Sequence, residues 1–136
     1  MAKLSSLKIE VLSFLLRAAR WRPLHPLSAF FFRHMNTFLP VDRLAENQHW
    51  LAFHHPQPDY PLHILILPKQ SVQTIEDVCA QPPEFTQDFY QIVATLIANF
   101  ALTTQGYRLI NNGGPNQLVP QWHWHLISEH QQEEND

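Results

Sequence analysis

Residues 121–126, QWHWHL, constrain this chain more than any other stretch. Read as a β-strand, the run sends successive side chains to opposite faces. Trp122, Trp124 and Leu126 then share one face, and Gln121, His123 and His125 share the other. Two indoles and a leucine bury large apolar area, so theirs is the core face. The two imidazoles stand side by side, about 7 Å apart along the strand. Their face must be polar or line a cleft.

The segments around this run read as its partners in a small α+β domain. Residues 49–54 (HWLAFH) form a short strand, with Trp50 and Phe53 as anchors. Residues 55–61 carry three prolines and make a stiff, irregular loop. Residues 62–67 (LHILIL) are β-rich and end at Pro68. A short helix fits residues 72–78. A long one fits residues 83–102, where Phe85, Phe89, Ile92, Val93, Leu96, Ile97 and Phe100 recur at helical steps behind Pro83. Residues 107–110 read as a strand, 111–116 (NNGGPN) as a turn, and 118–127 as the last strand. Trp50, Phe53, Ile64 and Ile66 read first as core residues. Lys69 reads as a solvated charge at a strand end, and His54 as an exposed or hydrogen-bonded loop residue.

At 136 residues the chain is sized for one domain. Three glycines against eleven prolines leave little room for a glycine-rich phosphate loop. The net charge of -3 shows no basic excess that would call for nucleic acid. A single cysteine, Cys79, rules out a disulfide framework and any multi-cysteine zinc site. It fits a reducing compartment, and a cytoplasmic location is the expectation.

The first quarter differs from the rest. Residues 1–34 hold six basic residues against Glu10 alone, while the other 102 hold three basic and eleven acidic ones. Leu4, Leu7, Val11, Phe14, Leu15 and Ala18 recur at helical spacing opposite a stripe of Lys3, Ser6, Glu10, Ser13, Arg17 and Arg20. Pro23 ends that helix. Its apolar run is too short and too interrupted to span a bilayer. Three readings stay open: packing on its own domain or a second subunit, peripheral contact of residues 1–22 with an anionic membrane, or targeting. The expected division is therefore an amphipathic helix and linker over 1–39, a domain over 40–130 and a polar tail over 131–136.

The His123–His125 pair has more than one reading. Both rings can simply coat a solvated sheet face. A His-x-His pair also binds zinc when a third ligand is at hand, and His63, His54 or His55 could supply it. No HExxH helix, acid cluster or orienting carboxylate accompanies the pair, so no metal and no cofactor are expected.

Residues 106–127 (GYRLINNGGPNQLVPQWHWHLI) resemble the signature of the histidine-triad family. There a strand, an Asn/Gly turn and a glutamine precede a strand of alternating histidines and apolar residues. Residues 49–69 (HWLAFHHPQPDYPLHILILPK) resemble the same family's nucleotide-pocket hairpin. The similarity covers roughly residues 40–127 and looks closest to the small nucleotide-binding branch with phosphoramidase-type members. It implies an antiparallel sheet with one long helix and a homodimer paired through that helix, which would explain the apolar face of residues 83–102. It also implies a nucleotide hydrolase or nucleotidyltransferase acting on purine nucleotide conjugates.

By the same resemblance, His123 would attack the α-phosphate and form a nucleotidyl-imidazole intermediate. The main-chain carbonyl of Gln121 would hold the ring by Nδ1 and leave Nε2 as nucleophile. His125 would donate to a phosphate oxygen. His63 would support position 121 from behind. Asn111 would touch phosphate oxygens, Gln117 would shape the phosphate loop, and His55 and Phe53 would belong to the nucleotide pocket. Several positions depart from the family pattern. Gln121 replaces the first histidine, Leu118 a serine that contacts the leaving group, and His55 the aspartate that grips the ribose; the turn is also one residue short. These departures keep two alternatives in view: a nucleotide-binding module with degraded catalysis, and a metal-dependent hydrolase using the His-x-His pair.

Overall fold

A computed structural model describes residues 43–130. The expected N-terminal helix, its boundary at residue 39 and the tail over 131–136 lie outside the described residues. Among the described residues no helix is long and apolar enough to cross a membrane.

The architecture is α+β. Five antiparallel strands, β1 (Ala45–Glu46), β2 (Trp50–His54), β3 (Leu62–Pro68), β4 (Arg108–Ile110) and β5 (Trp124–Ser128), lie in the order β1-β2-β3-β5-β4. The centre belongs to β3, whose seven residues are all buried. Its near-continuous apolar sequence suits a strand covered on both sides. The register puts Ile64 opposite Leu126 and Ile66 opposite Trp124, and both pairs join the main core with Trp50 and Ala52. Leu65 faces His125 and Phe53 on the other side of the sheet. The alternation read from residues 122–126 thus sorts indole from imidazole as expected.

Helix α1 (Ile75–Cys79) follows Thr74, whose side chain and Asp77 form a reciprocal capping box. It starts later than the expected residue 72 because Val72, ahead of the Thr74 cap, is fully buried in the core outside any helix. Helix α2 (Pro83–Asn99) begins with a proline in its first turn. Its buried Phe85, Phe89, Ile92, Val93 and Leu96 pack on the tryptophan face of the sheet. Trp50 is the anchor: its indole lies 4.7 Å from Phe85 and 4.9 Å from Phe89, and Nε1 donates to the Phe85 carbonyl at 2.7 Å. The apolar face of this helix is therefore spent inside its own domain, and a second subunit is not needed to explain it.

The expected helix over 83–102 is broken. Ala101 turns left-handed (φ 52) and a short α3 (Leu102–Gln105) follows. In a continuous helix Leu102 would point about 120° away from Leu96. The break returns it to the core, where it is fully buried. Gly106, at φ 87, then leads into β4, a conformation that favours glycine.

The last strand is shorter than expected, beginning at Trp124 instead of residue 118. Pro120 has no N–H to give a ladder. Residues 117–122 are strapped instead to the segment after β3: Trp122 N–H donates to Val72 O at 2.7 Å, Gln121 Nε2 to Gln70 O at 2.9 Å, and Gln117 Nε2 to Gln73 O at 2.8 Å. At the other edge, β1 was not anticipated. Asn47 Oδ1 accepts from the N–H groups of His49 and Trp50 and turns the chain between β1 and β2. Lys69 is not a free solvated charge, for its Nζ pairs with Glu46 at 3.0 Å.

Candidate active site

His63 on β3 and His125 on β5 project from the same sheet face at diagonal positions of a paired register. Their rings meet: His63 Nε2 and His125 Nδ1 are 2.8 Å apart. The proton between them can be placed. The backbone N–H of Asp59 donates to His63 Nδ1 at 3.1 Å, so that nitrogen carries the lone pair. His63 Nε2 then carries the hydrogen and donates to His125 Nδ1. The hydrogen of His125 is consequently on Nε2. A backbone amide in the proline-rich loop thus sets the tautomer of a ring one strand away.

His123 is fixed from the opposite direction. It sits just before β5, and its Nδ1 meets the carbonyl of Gln121 at 2.7 Å. A carbonyl only accepts, so Nδ1 is protonated and Nε2 holds a lone pair. Asn111, just past β4, ties the backbone here by donating from Nδ2 to His123 O at 2.8 Å. The His123 and His125 ring centres are 5.0 Å apart, in an edge-to-face arrangement. Both rings are half-buried. The site thus pairs a lone-pair nitrogen on His123 with an N–H donor on His125.

Burial holds the His63, His123 and His125 rings below the ordinary imidazole value. At His125 the proximity of His123, His63 and His55 adds to burial, and its pKa falls to about 3. The Asp59 charge opposes the shift at His63, and the Gln121 carbonyl opposes it at His123. The cluster is therefore uncharged near neutral pH, the form in which an imidazole is a nucleophile or ligand.

The expected site residues do not all meet. His55 joins the cluster, its ring stacked on His63 at 4.3 Å, with Nδ1 accepting from Gln57 N–H. Gln121 contributes its carbonyl but not its side chain. The support expected from His63 goes to His125 instead, and the buried Gln121 amide turns to Gln70, its Oε1 without a partner among the described residues. The strap that makes β5 start late is the cause, because it pulls residue 121 out of the strand's alternation. Phe53 lies on the histidine face beside Leu65, buried at 1% exposure. Gln117 holds the loop to Gln73. Asn111 is engaged with the His123 carbonyl. His54, once a candidate third zinc ligand, lies on the helix face against Phe100. Asp59 was missed altogether, since nothing in its local pattern tells which ring its amide will reach. A metal grouping does occur, though not on the His-x-His pair: His55, His63 and His125 each bring a ring nitrogen within 4.8 Å of the others.

The HIT domain family model matches residues 36–132, which is most of the chain. This chain belongs to the HIT family. An uncharacterized 13.2 kDa HIT-like protein of Azospirillum brasilense is 31% identical over 101 residues, covering 72% of this chain and 83% of its own. A solved HIT-like protein matches the fold with a TM-score of 0.63 and 26% identity, over 74% of this chain and 98% of its own. The histidine triad nucleotide-binding protein of Candida albicans matches with a TM-score of 0.63 and 25% identity, over 74% and 73%. The HIT fold places its sheet, long helix and histidine strand as the resemblance implied.

Proposed function

We propose that this HIT protein binds purine nucleotide conjugates and cleaves them at the α-phosphorus through a nucleotidyl-histidine intermediate. One observation carries the reading: the Gln121 carbonyl holds His123 Nδ1–H at 2.7 Å and leaves Nε2 as a lone pair beside the His125 donor. His123 Nε2 forms the bond to phosphorus as the bond to the leaving group breaks, and the leaving group departs with that electron pair and a proton taken from solvent. His125 Nε2–H donates to a non-bridging oxygen and offsets the growing charge. Water then attacks phosphorus, gives a proton to solvent, releases the nucleoside monophosphate and returns the electron pair to His123. Asn111 acts on the nucleophile through the His123 carbonyl. The name of the Candida relative supports the nucleotide half of this reading. The same reading takes the protein as a cytoplasmic homodimer.

The test is turnover of an adenosine phosphoramidate by full-length protein and by His123→Ala. A fall of at least about 100-fold with an unchanged circular dichroism spectrum is expected. Wild-type rates in that variant would remove His123 from the nucleophile role. A second reading is nucleotide binding without turnover. Leu118, exposed at 59% and with no proton to give, favours it. Calorimetric binding of a nucleoside monophosphate with no cleavage across a panel of conjugates would select it.

A further inference from the structure

The three-histidine grouping is not used by the nucleophile. His55, His63 and His125 converge, and His123 is not among them. We propose that these three rings form a binding site for Zn(II). This site does not rest on the function proposed above.

The donor set chooses the ion. Three imidazoles without a carboxylate suit a borderline ion such as Zn(II), whereas Mg(II) and Ca(II) require oxygen ligands. The spacing is close to what such an ion needs. Tetrahedral bonds of about 2.0–2.1 Å set neighbouring nitrogens roughly 3.4 Å apart. His63 and His125 are already in direct contact at 2.8 Å, so they need only separate slightly. The remaining contraction falls on His55. That residue follows the last residue of β2 and opens the proline-rich loop, where a side-chain rotation leaves the sheet undisturbed. Its place is already defined by the stack on His63.

Binding carries a definite local cost. The ion replaces the hydrogen bond between His63 Nε2 and His125 Nδ1, and whichever nitrogen His55 offers, its Nδ1 gives up the bond from the Gln57 N–H. The hydrogen of His63 moves, by exchange with water, from Nε2 to Nδ1, and the Asp59 N–H bond to that nitrogen is given up. The Asp59 charge acts on this ring and favours the new N–H, as a carboxylate orients a metal-bound histidine elsewhere. The ion takes His125 by Nδ1 and leaves the hydrogen on its Nε2 in place.

The experiment uses full-length, chelator-washed protein titrated with zinc chloride by calorimetry and with cobalt(II) by absorption. One zinc per chain is expected, with the intense visible bands of tetrahedral cobalt. His55→Phe keeps a ring on His63 but removes a ligand, and should weaken binding by more than about 100-fold. His123→Ala should bind as the wild type does. Should His55→Phe fail to fold, His55→Asn removes the same ligand with a smaller side chain. No saturable binding, wild-type binding by the His55 variant, or equal loss in His123→Ala would each overturn the site. Binding is read without substrate, so failure of the proposed hydrolysis would leave this result intact.

Discussion

Acid should destabilise this domain through His125 before any carboxylate responds. The folded ring has a pKa of about 3, against an ordinary value of 6.5. Its folded value is depressed, so its neutral form contributes fully above 6.5, and that contribution drains away as the pH falls from 6.5 toward 3. At about pH 5 the unfolded ring is protonated and the folded ring is not. That gap of roughly 1.5 pH units corresponds to about 2 kcal/mol. Solvent reaching the half-buried ring reduces it to about 1 kcal/mol. For a domain of this size, 1 kcal/mol moves the melting temperature by roughly 4–8 °C. Thermal unfolding of wild type and His125→Asn between about pH 7.5 and about pH 5 should therefore diverge, with the wild type losing 4–8 °C more. Parallel curves for the two proteins would refute the picture of a crowded, uncharged histidine cluster.

Two further outcomes are expected. Trp50→Ala should cost about 3–5 kcal/mol in urea unfolding, since it empties the contact with Phe85 and Phe89 and removes the indole bond to the Phe85 carbonyl; a loss below about 1 kcal/mol would mean that α2 does not rest on this ring. In the pH profile of kcat/KM for an adenosine phosphoramidate, the acid limb should lie below the ordinary imidazole value of 6.5, because burial keeps His123 neutral; a limb at or above 6.5 would contradict that.

Much of the site was legible because it is built on short-range geometry. Alternation along a strand sorted Trp124 and Leu126 from His125 with no knowledge of neighbours. The carbonyl of Gln121 holds His123 over a separation of two residues, a contact the local chain supplies by itself. Pro120 was a visible warning that the last strand starts late, but the bonds that hold residues 117–122 in place come from residues 70–73. The break at Ala101 was hidden because helical periodicity continues through Phe100, and only the vacancy that Leu102 fills explains it.

The amino-acid sequence alone determined the antiparallel domain, its core face and the identity of the histidines, because periodicity and burial act along the chain. Only the tertiary structure decided which rings touch. The pairing of His63 with His125 depends on the register between β3 and β5. The stack of His55 on His63 and the reach of the Asp59 amide depend on how the proline-rich loop folds back over β3. Those contacts set the tautomers and gather the three ring nitrogens, and no spacing within one strand encodes a hydrogen bond between two.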